Sequence, residues 1–322
     1  MKKAVVSIGI TCYSAAETIA RAVQSAMEQH YPDFEIVIVD DVSQDSSWDV
    51  ILELQGQFPD KIRAFQNDKN LGVAGTRNRI ITEAQGEFLA FFDDDDISVP
   101  SRLTRQVQRI LDYERDFAAG HDVICHAARL QKYPDGREEI ASTMGCDVGM
   151  VAPHGVDMAG RILYNKNISG GNGAMATCSQ MARLSTYKNL GGFDPEFRRM
   201  EDTEFNVRLA LSGGHFIGVA DPLVVQTMTQ ADDKRIADER IYARKLYQKH
   251  SKFLLEEGRG HFDMDWLEAK HDYWEGYKVT FLWRLLLLFI AHPFLSLGRV
   301  LQAMPNMGYN RSVRKFHRAE MS

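Results

Sequence analysis

Residues 88–96 read FLAFFDDDD, a short apolar run followed at once by four carboxylates. Five apolar residues bounded by polar ones are typical of a buried β-strand. The same pattern occurs upstream, where the run FEIVIV (34–39) ends in Asp40 and Asp41. Because parallel α/β sheets bind ligands at the carboxyl ends of their strands, both acidic clusters lie where a binding site is expected.

Strand and helix patterns alternate through the first third of the chain. They predict strands over 4–10, 34–39, 62–65 and 88–92, each followed by a helix, over 19–26, 48–58, 75–84 and 100–113. Consecutive strands begin about 30 residues apart, which is the length of a βαβ unit. Crossovers of this kind give parallel strands.

The pattern is less regular further on. Residues 123–151 indicate a mixture of strand and loop, and 165–173 form a polar loop rich in Asn and Gly. Glycine pairs that can stop a helix follow two segments, which predicts helices over 179–189 and 201–211. Residues 234–250 are charged and are predicted to be helical.

The composition is that of an ordinary globular protein. The chain has 322 residues, 44% of them hydrophobic and 25% charged, with room for one large or two modest domains. Its four cysteines lie far apart and form no CxxC pair, which argues against a zinc site and favours a reducing, cytosolic setting. The N-terminus lacks the pattern of a signal peptide. A net charge of −6 argues against nucleic-acid binding.

Each of the two acidic strand ends allows two interpretations. Asp40 and Asp41 can form a simple turn, or can accept hydrogen bonds from a base or a ribose. Residues 93–96 would repel one another unless they were solvated or neutralised by a cation such as Mg²⁺ or Mn²⁺. Asp93 and Asp95 have a spacing that points alternate side chains the same way in an extended segment.

A third acidic segment, Met200 to Glu204, opens the helix predicted over 201–211. Acids in a first turn are favoured by the helix dipole, so a purely structural role is one interpretation. A general base is the other.

The motifs together resemble the family 2 glycosyltransferases. They are Val6-Ser7-Ile8 with Thr11 to Ser14, Val39 to Asp45, Asn70-Leu71-Gly72 with Ala74 to Asn78, Phe92 to Ile97, Gly191 to Asp194, and Glu201-Asp202. The resemblance covers residues 3–225. It implies an α/β GT-A fold (nucleotide-diphospho-sugar transferase-like): a mostly parallel sheet flanked by helices, here with a helical C-terminal extension. The implied catalytic domain spans 1–230, with a nucleotide-sugar half (1–115) and an acceptor half (116–230).

The resemblance also implies the chemistry. A sugar would pass with inversion from a nucleotide-sugar, usually UDP-linked, to a hydroxyl of a carbohydrate or lipid-linked acceptor, in assembly of a surface polysaccharide or glycolipid. The residues that match the family's nucleotide site are Thr11, Tyr13, Asp41, Arg77, Asp93 and Asp94. Asp95 would hold Mn²⁺ or Mg²⁺, and Asp202 would be the catalytic base.

The C-terminal region, 231–322, raises a separate expectation. A charge-free stretch of 14 residues between Arg284 and Arg299 is too short to span a bilayer and contains a proline. Aromatic residues precede it, and basic residues follow it: Arg299, Arg311, Arg314, Lys315 and Arg318. This pattern favours peripheral contact with an anionic membrane, on the cytoplasmic face of the inner membrane, and a buried or oligomeric helix is the alternative.

Other functions fit the sequence less well. A nucleotidyltransferase would have a Gly-rich phosphate loop after its first strand, where this chain has Thr11 to Ser14. A dinucleotide-binding dehydrogenase would have GxGxxG there. A protein that binds nucleotide-sugars or membranes without catalysis stays open, although Asp95 and Asp202 argue against it.

Overall fold

The computed structural model describes residues 6–228 and 236–303. The chain divides into two compact units, Met1–Thr229 and Gln230–Ser322. Four basic residues named above, Arg311, Arg314, Lys315 and Arg318, lie outside the described residues.

The first half of the first unit is a parallel α/β sheet. Its strands are β1 (Val6–Cys12), β2 (Phe34–Asp40), β3 (Ile62–Gln66) and β4 (Phe88–Asp93), and its helices are α1 (Ile19–Met27), α2 (Ser47–Gln57), α3 (Gly72–Glu83) and α4 (Arg102–Asp116). The strands lie in the order β3-β2-β1-β4, and every adjacent pair is parallel. The predicted α/β class and parallel arrangement are confirmed here.

The same sheet continues as a mixed one. Its further strands are β5 (Ile97–Ser98), β6 (Val123–Lys132), β7 (Glu138–Ala141), β8 (Met181–Arg183) and β9 (His215–Thr227), and the order continues β4-β8-β6-β9-β5 with β7 paired to β6. The helices are α5 (Gly155–Tyr164), α6 (Leu184–Asn189) and α7 (Glu201–Leu211). In the described residues β8 runs antiparallel to both β4 and β6, whereas β6 and β9 are parallel.

The predicted helix over 179–189 is wrong in its first half. Thr177–Ser179 is a short 3₁₀ turn, β8 follows, and the helix begins only at Leu184. Met181 and Ala182 pair with Ala90 and Leu89 of β4, so the sheet satisfies their backbone groups. Tertiary pairing overrides the local helical pattern. Helix α5 was also not predicted.

Close packing sets α3 directly against β1. A Cβ atom at Gly9 would lie 2.5 Å from Cγ2 of Ile80, so only glycine allows this approach. Ile8 of β1 and Ile36 of β2 are fully buried on the opposite face of the sheet. Gly9 therefore lets α3 pack directly on β1.

The second unit is helical over its described residues. Its helices are α8 (Ile236–Lys249), α9 (Ser251–Glu256), α10 (Phe262–Glu275), α11 (Lys278–Ala291) and α12 (Pro293–Ala303). Phe262, Ala269 and Leu288 form a small core. Within the two described ranges, no helix combines the length and apolarity needed to cross a membrane.

Candidate functional site

The ends of β1, β2 and β4 bring the two acidic clusters together. Strand β1 lies between the other two, with Cys12 opposite Asp40 and Thr11 opposite Asp93. The register of the strands thus places Asp40 and Asp93, which are about 50 positions apart in the sequence, on either side of the end of β1. The site is built on this edge.

The loop after β1 is fixed to the loop after β2. Three consecutive amides of the first loop donate to side chains of the second: Ser14 to Ser43 Oγ at 2.9 Å, Ala15 to Ser47 Oγ at 2.8 Å and Ala16 to Asp45 Oδ2 at 3.1 Å. Ser14 and Val42 have φ values of 53° and 63°, which non-glycine residues adopt rarely. Backbone strain of this kind clusters at functional sites.

Thr11 and Tyr13 lie at the end of β1 and in the loop that follows it. Thr11 is half-buried at the end of β1, and the Tyr13 side chain is 53% exposed. The Tyr13 amide donates to Asp94 Oδ2 at 3.1 Å, which joins the first loop to the second acidic cluster. Burial, with smaller contributions from Asp93 and Asp95, raises the pKa of Asp94 to about 7, although the hydrogen bond from the Tyr13 amide opposes the rise.

Asp41 is buried, and its carboxylate holds the start of α3. Oδ1 accepts hydrogen bonds from Asn67 Nδ2 at 2.7 Å and from the Leu71 amide at 2.8 Å. Oδ2 accepts one from the Gly72 amide at 2.8 Å. A carboxylate oxygen has two lone pairs, so Oδ2 keeps one acceptor position after these contacts.

The second acidic cluster divides into two parts. Asp96 is buried, and neither of its oxygens has a hydrogen-bond donor in the described part of the chain other than the neighbouring Cys178 thiol. Ligand atoms of Asp93, Asp96 and Cys178 lie within 4.8 Å of one another. Asp95 is half-buried and its backbone carbonyl accepts a bond from Arg21 at 2.8 Å. Asp95 is not one of the three grouped residues.

Arg77 connects this cluster to α7. Its Nη1 lies 2.6 Å from Glu201 Oε1, and its Nη2 lies 3.9 Å from Asp93 Oδ1. The guanidinium is buried, which disfavours its charge. The carboxylates of Glu201, Asp93 and Asp202 outweigh that burial and raise the pKa of Arg77.

The loop before α7 is fixed to α3 by one asparagine. Asn78 Nδ2 donates to the Phe193 carbonyl at 2.7 Å, and the Phe193 amide donates to Asn78 Oδ1 at 2.8 Å. Gly192 has a φ of 73°, and a Cβ there would lie 2.4 Å from Asn78 Oδ1. Arg208 of α7 donates to the Gly192 carbonyl at 2.7 Å.

Asp202 lies in the first turn of α7 and is half-buried. Its Oδ1 accepts a hydrogen bond from the Thr203 amide at 2.6 Å. The adjacent Glu201 contacts Arg77, whose Nη2 lies 3.9 Å from Asp93 Oδ1. Met200, which precedes the helix, has a φ of 61°. The segment predicted to supply a base therefore lies near the acidic cluster.

Several residues that build the site were not singled out from the sequence. They are Asn67, Cys178 and Arg208, whereas Asp96 belongs to the predicted 93–96 cluster but was given no role of its own. A polar residue just after β3 was a signal for Asn67, since Asp41 directly follows the adjoining strand β2. Cys178 gave no signal, because only the fold brings it to Asp93 and Asp96.

The family model for glycosyl transferase family 2 matches residues 7–169. An uncharacterised glycosyltransferase of Nostoc sp. is 45% identical over 104 residues, which cover 32% of each chain. An Escherichia coli UDP-Glc:alpha-D-GlcNAc-diphosphoundecaprenol beta-1,3-glucosyltransferase is 37% identical over 102 residues, 32% of this chain and 39% of that one. The matches thus span roughly a third of these relatives' length.

Solved structures share the fold. S. aureus TarS superposes with a TM-score of 0.58 and 19% identity, over 83% of this chain and 43% of that one. TarS 1–349 in complex with UDP-GlcNAc gives a TM-score of 0.54 and 17% identity, over 84% and 73% of the two chains.

Proposed function

The chain belongs to glycosyl transferase family 2, and on that premise we propose that it transfers a sugar with inversion from a nucleotide-sugar to an acceptor hydroxyl. The contact that carries the proposal is made by Arg77, between Glu201 at 2.6 Å and Asp93 at 3.9 Å. Through Arg77, the carboxylates at the end of β4 and at the start of α7 lie around one guanidinium. Sugar transfer needs the donor site and the general base close together, and this contact supports that arrangement.

Asp202 is the proposed general base. An alcohol is a poor nucleophile near neutral pH, and a carboxylate that removes its proton as the bond forms contributes a factor of about 10²–10⁴. Asp202 is half-buried, so an acceptor can reach it. Arg77 acts as a positioning residue because it holds the neighbouring Glu201, and with it the first turn of α7.

Thr11, Tyr13 and Asp41 are proposed to hold the nucleoside. The remaining acceptor position on Asp41 Oδ2 suits a ring N–H, which uracil and guanine offer and cytosine does not. The exposed Tyr13 ring is free to stack on a base. Arg77, Asp93 and Asp94 are the proposed residues on the ribose and phosphate side. We propose UDP as the nucleotide that carries the donor sugar. The structure of TarS 1–349 in complex with UDP-GlcNAc supports this choice.

The acidic cluster fits a divalent cation. The buried Asp96 carboxylate lacks a donor other than a thiol, and Asp93 is close enough to share an ion with it. Carboxylates suit Mg²⁺ and Mn²⁺. Asp95 is the proposed ligand, with Asp93 and Asp96 beside it. Such an ion, when bound, neutralises charge on the departing diphosphate.

The proposed acceptor is a carbohydrate or a lipid-linked sugar in polysaccharide or glycolipid assembly. The E. coli relative is named for a diphosphoundecaprenol-linked substrate, which supports this class. Peripheral contact with an anionic membrane on its cytoplasmic side would keep the protein where such an acceptor is held.

Calorimetric titration with UDP, GDP, CDP and TDP, each with and without Mn²⁺, tests the donor site. We expect UDP to bind, Mn²⁺ to strengthen binding, and Asp95→Ala to remove the Mn²⁺ effect. Cys178→Ala serves as the matched comparison, because it would remove the effect only if the ion lay in the Asp93, Asp96 and Cys178 group. If no nucleotide binds with or without metal, the proposed transferase function is wrong.

A second assay tests turnover. UDP-sugars that bind are offered with lipid-linked and soluble sugar acceptors, and product is followed by mass spectrometry. Binding without any transfer would indicate a non-catalytic nucleotide-sugar-binding protein instead.

A further inference from the structure

The last two helices present an apolar face to solvent. Exposed apolar residues recur every three or four positions on α11 and again on α12: Val279, Leu282, Trp283, Leu286, Leu287, Ile290, Phe294, Leu297 and Leu301. Phe294 is 89% exposed, Val279 82% and Ile290 71%. This spacing puts them on one side of each helix, whereas Leu288 on the other side of α11 enters the small core. The described part of the chain leaves this apolar face uncovered.

The surrounding sequence carries one sign of charge. From Gly276 to Ala319 there is no Asp or Glu, although the chain has 44 in all. The same segment contains seven basic residues: Lys278, Arg284, Arg299, Arg311, Arg314, Lys315 and Arg318. Its formal charge is therefore +7, in a chain whose total is −6.

Some of these charges are balanced by α10. Arg284 lies 2.7 Å from Asp272, and Arg299 lies 3.8 Å from Asp263. Lys278 is exposed at the start of α11. The other four follow α12 in the sequence, outside the described residues. In the sequence, basic residues without a described acidic partner therefore flank the two helices, Lys278 at the start of α11 and the other four after α12.

We propose that the apolar face docks on an anionic lipid surface, with α11 and α12 lying in the plane of the interface. The 14 residues of α11 extend about 21 Å, less than the ~30 Å of a bilayer's hydrocarbon core. Trp283 on the face and Tyr277 just before it are residue types enriched at membrane interfaces. Basic residues near the surface attract anionic headgroups.

A second copy of the chain fits this face less well. Pairing two copies through it would bring together two segments with the same excess of basic over acidic residues, and like charges oppose association. This docking deepens the membrane contact proposed above by assigning it to one face of α11 and α12. It does not depend on sugar transfer, because docking needs neither donor nor acceptor. Failure of one is therefore distinguishable from failure of the other.

Vesicle co-sedimentation of the full chain tests the proposal. Vesicles of phosphatidylcholine alone are compared with vesicles that also contain phosphatidylglycerol. We expect binding to the anionic vesicles, weakened by salt, and about tenfold weaker binding for the double variant W283S/I290S. Leu255→Ser, which removes an exposed apolar side chain on α9 and leaves α11 and α12 unchanged, should bind like the wild type.

Fluorescence quenching by brominated lipid locates the contact. We expect quenching in the wild type and its loss in Trp283→Phe, which should still bind vesicles because the face stays apolar. Circular dichroism confirms that the variants are folded. Binding that is equal for W283S/I290S and the wild type would overturn the proposal. So would a wild-type dimer that the double variant dissociates without any binding to vesicles, since the face would then join two copies.

Discussion

At the scale of the residue, Arg77 is the central electrostatic feature of the site. It is a buried cation in contact with Glu201 and close to Asp93, and the carboxylates around it raise its pKa despite burial. Removing one member of a buried pair leaves the other charge without compensation, which costs more than the pair contributes. The contribution of Arg77 to the free energy of unfolding can be measured separately from its effect on turnover.

Replacing Arg77 with Ala should therefore destabilise the first unit. We expect a loss of about 3–5 kcal/mol in the free energy of unfolding, because Glu201 stays buried without its cation. Urea denaturation measures it. The control is Arg79→Ala on the same helix, whose exposed pair with Glu83 should contribute less than about 1 kcal/mol. Equal losses in both variants would contradict the assignment.

Replacing Asp202 with Asn should abolish the base without disturbing the fold. We expect kcat to fall by about 10²–10⁴ while the Kd for UDP stays the same, because the side chain is matched in size and belongs to α7, whereas the residues proposed to hold the nucleoside follow β1 and β2. Asp112→Asn makes the same chemical change in a surface pair on α4 and should leave both values unchanged. Unaltered turnover in Asp202→Asn would rule out its role as base.

At the scale of the element, the site depends on how α3 meets the loop before α7. The Asn78 side chain both donates to the Phe193 carbonyl and accepts from the Phe193 amide, the same pair of hydrogen bonds that a neighbouring β-strand residue would make. At the start of the same helix, the Gly72 amide donates a hydrogen bond to the Asp41 carboxylate. Helix α3 therefore links Asp41, a proposed nucleoside ligand, to the loop that precedes the proposed base.

Two adjacent glycines allow this joint to be tested. Gly191 and Gly192 have φ values of 76° and 73°, but only at Gly192 would a Cβ meet Asn78, at 2.4 Å. Gly191→Ala should cost about 1 kcal/mol of stability from backbone strain alone. Gly192→Ala should cost more, about 2–3 kcal/mol, and should also lower kcat by moving α7. Identical unfolding curves for the two variants would show that the contact with Asn78 is unimportant.

At the scale of the whole molecule, buried neutral histidines make stability depend on pH. Burial, together with smaller contributions from nearby Arg129 and Arg102, lowers the pKa of His126 to about 3. Its unfolded-state pKa is about 6.5, so the unfolded chain binds more protons than the folded one below that pH. This group's contribution to stability is therefore complete above pH 6.5 and is lost as the pH falls toward 3.

The change is measurable as a difference between variants. We expect the wild type to lose up to about 1.4 kcal/mol per pH unit more than His126→Gln between pH 6 and pH 4. His30→Gln removes an exposed histidine and should follow the wild type. Taking the difference cancels the opposite contribution of carboxyls such as Asp94, whose pKa is raised. Parallel stability curves for wild type and His126→Gln would contradict the prediction.

The sequence by itself determined the parallel half of the sheet and the edge at which the acidic clusters lie. Strands β2 and β4 and helix α7 carry their patterns within a few consecutive residues, so local hydrophobicity and glycine stops were sufficient. Only the tertiary structure decided β8, because its pairing with β4 outweighed a helical pattern. Only the tertiary structure brings Arg77 into contact with Glu201, and Cys178 close to Asp96. Contacts between residues roughly a hundred positions apart depend on packing of the whole sheet, and no local pattern encodes them.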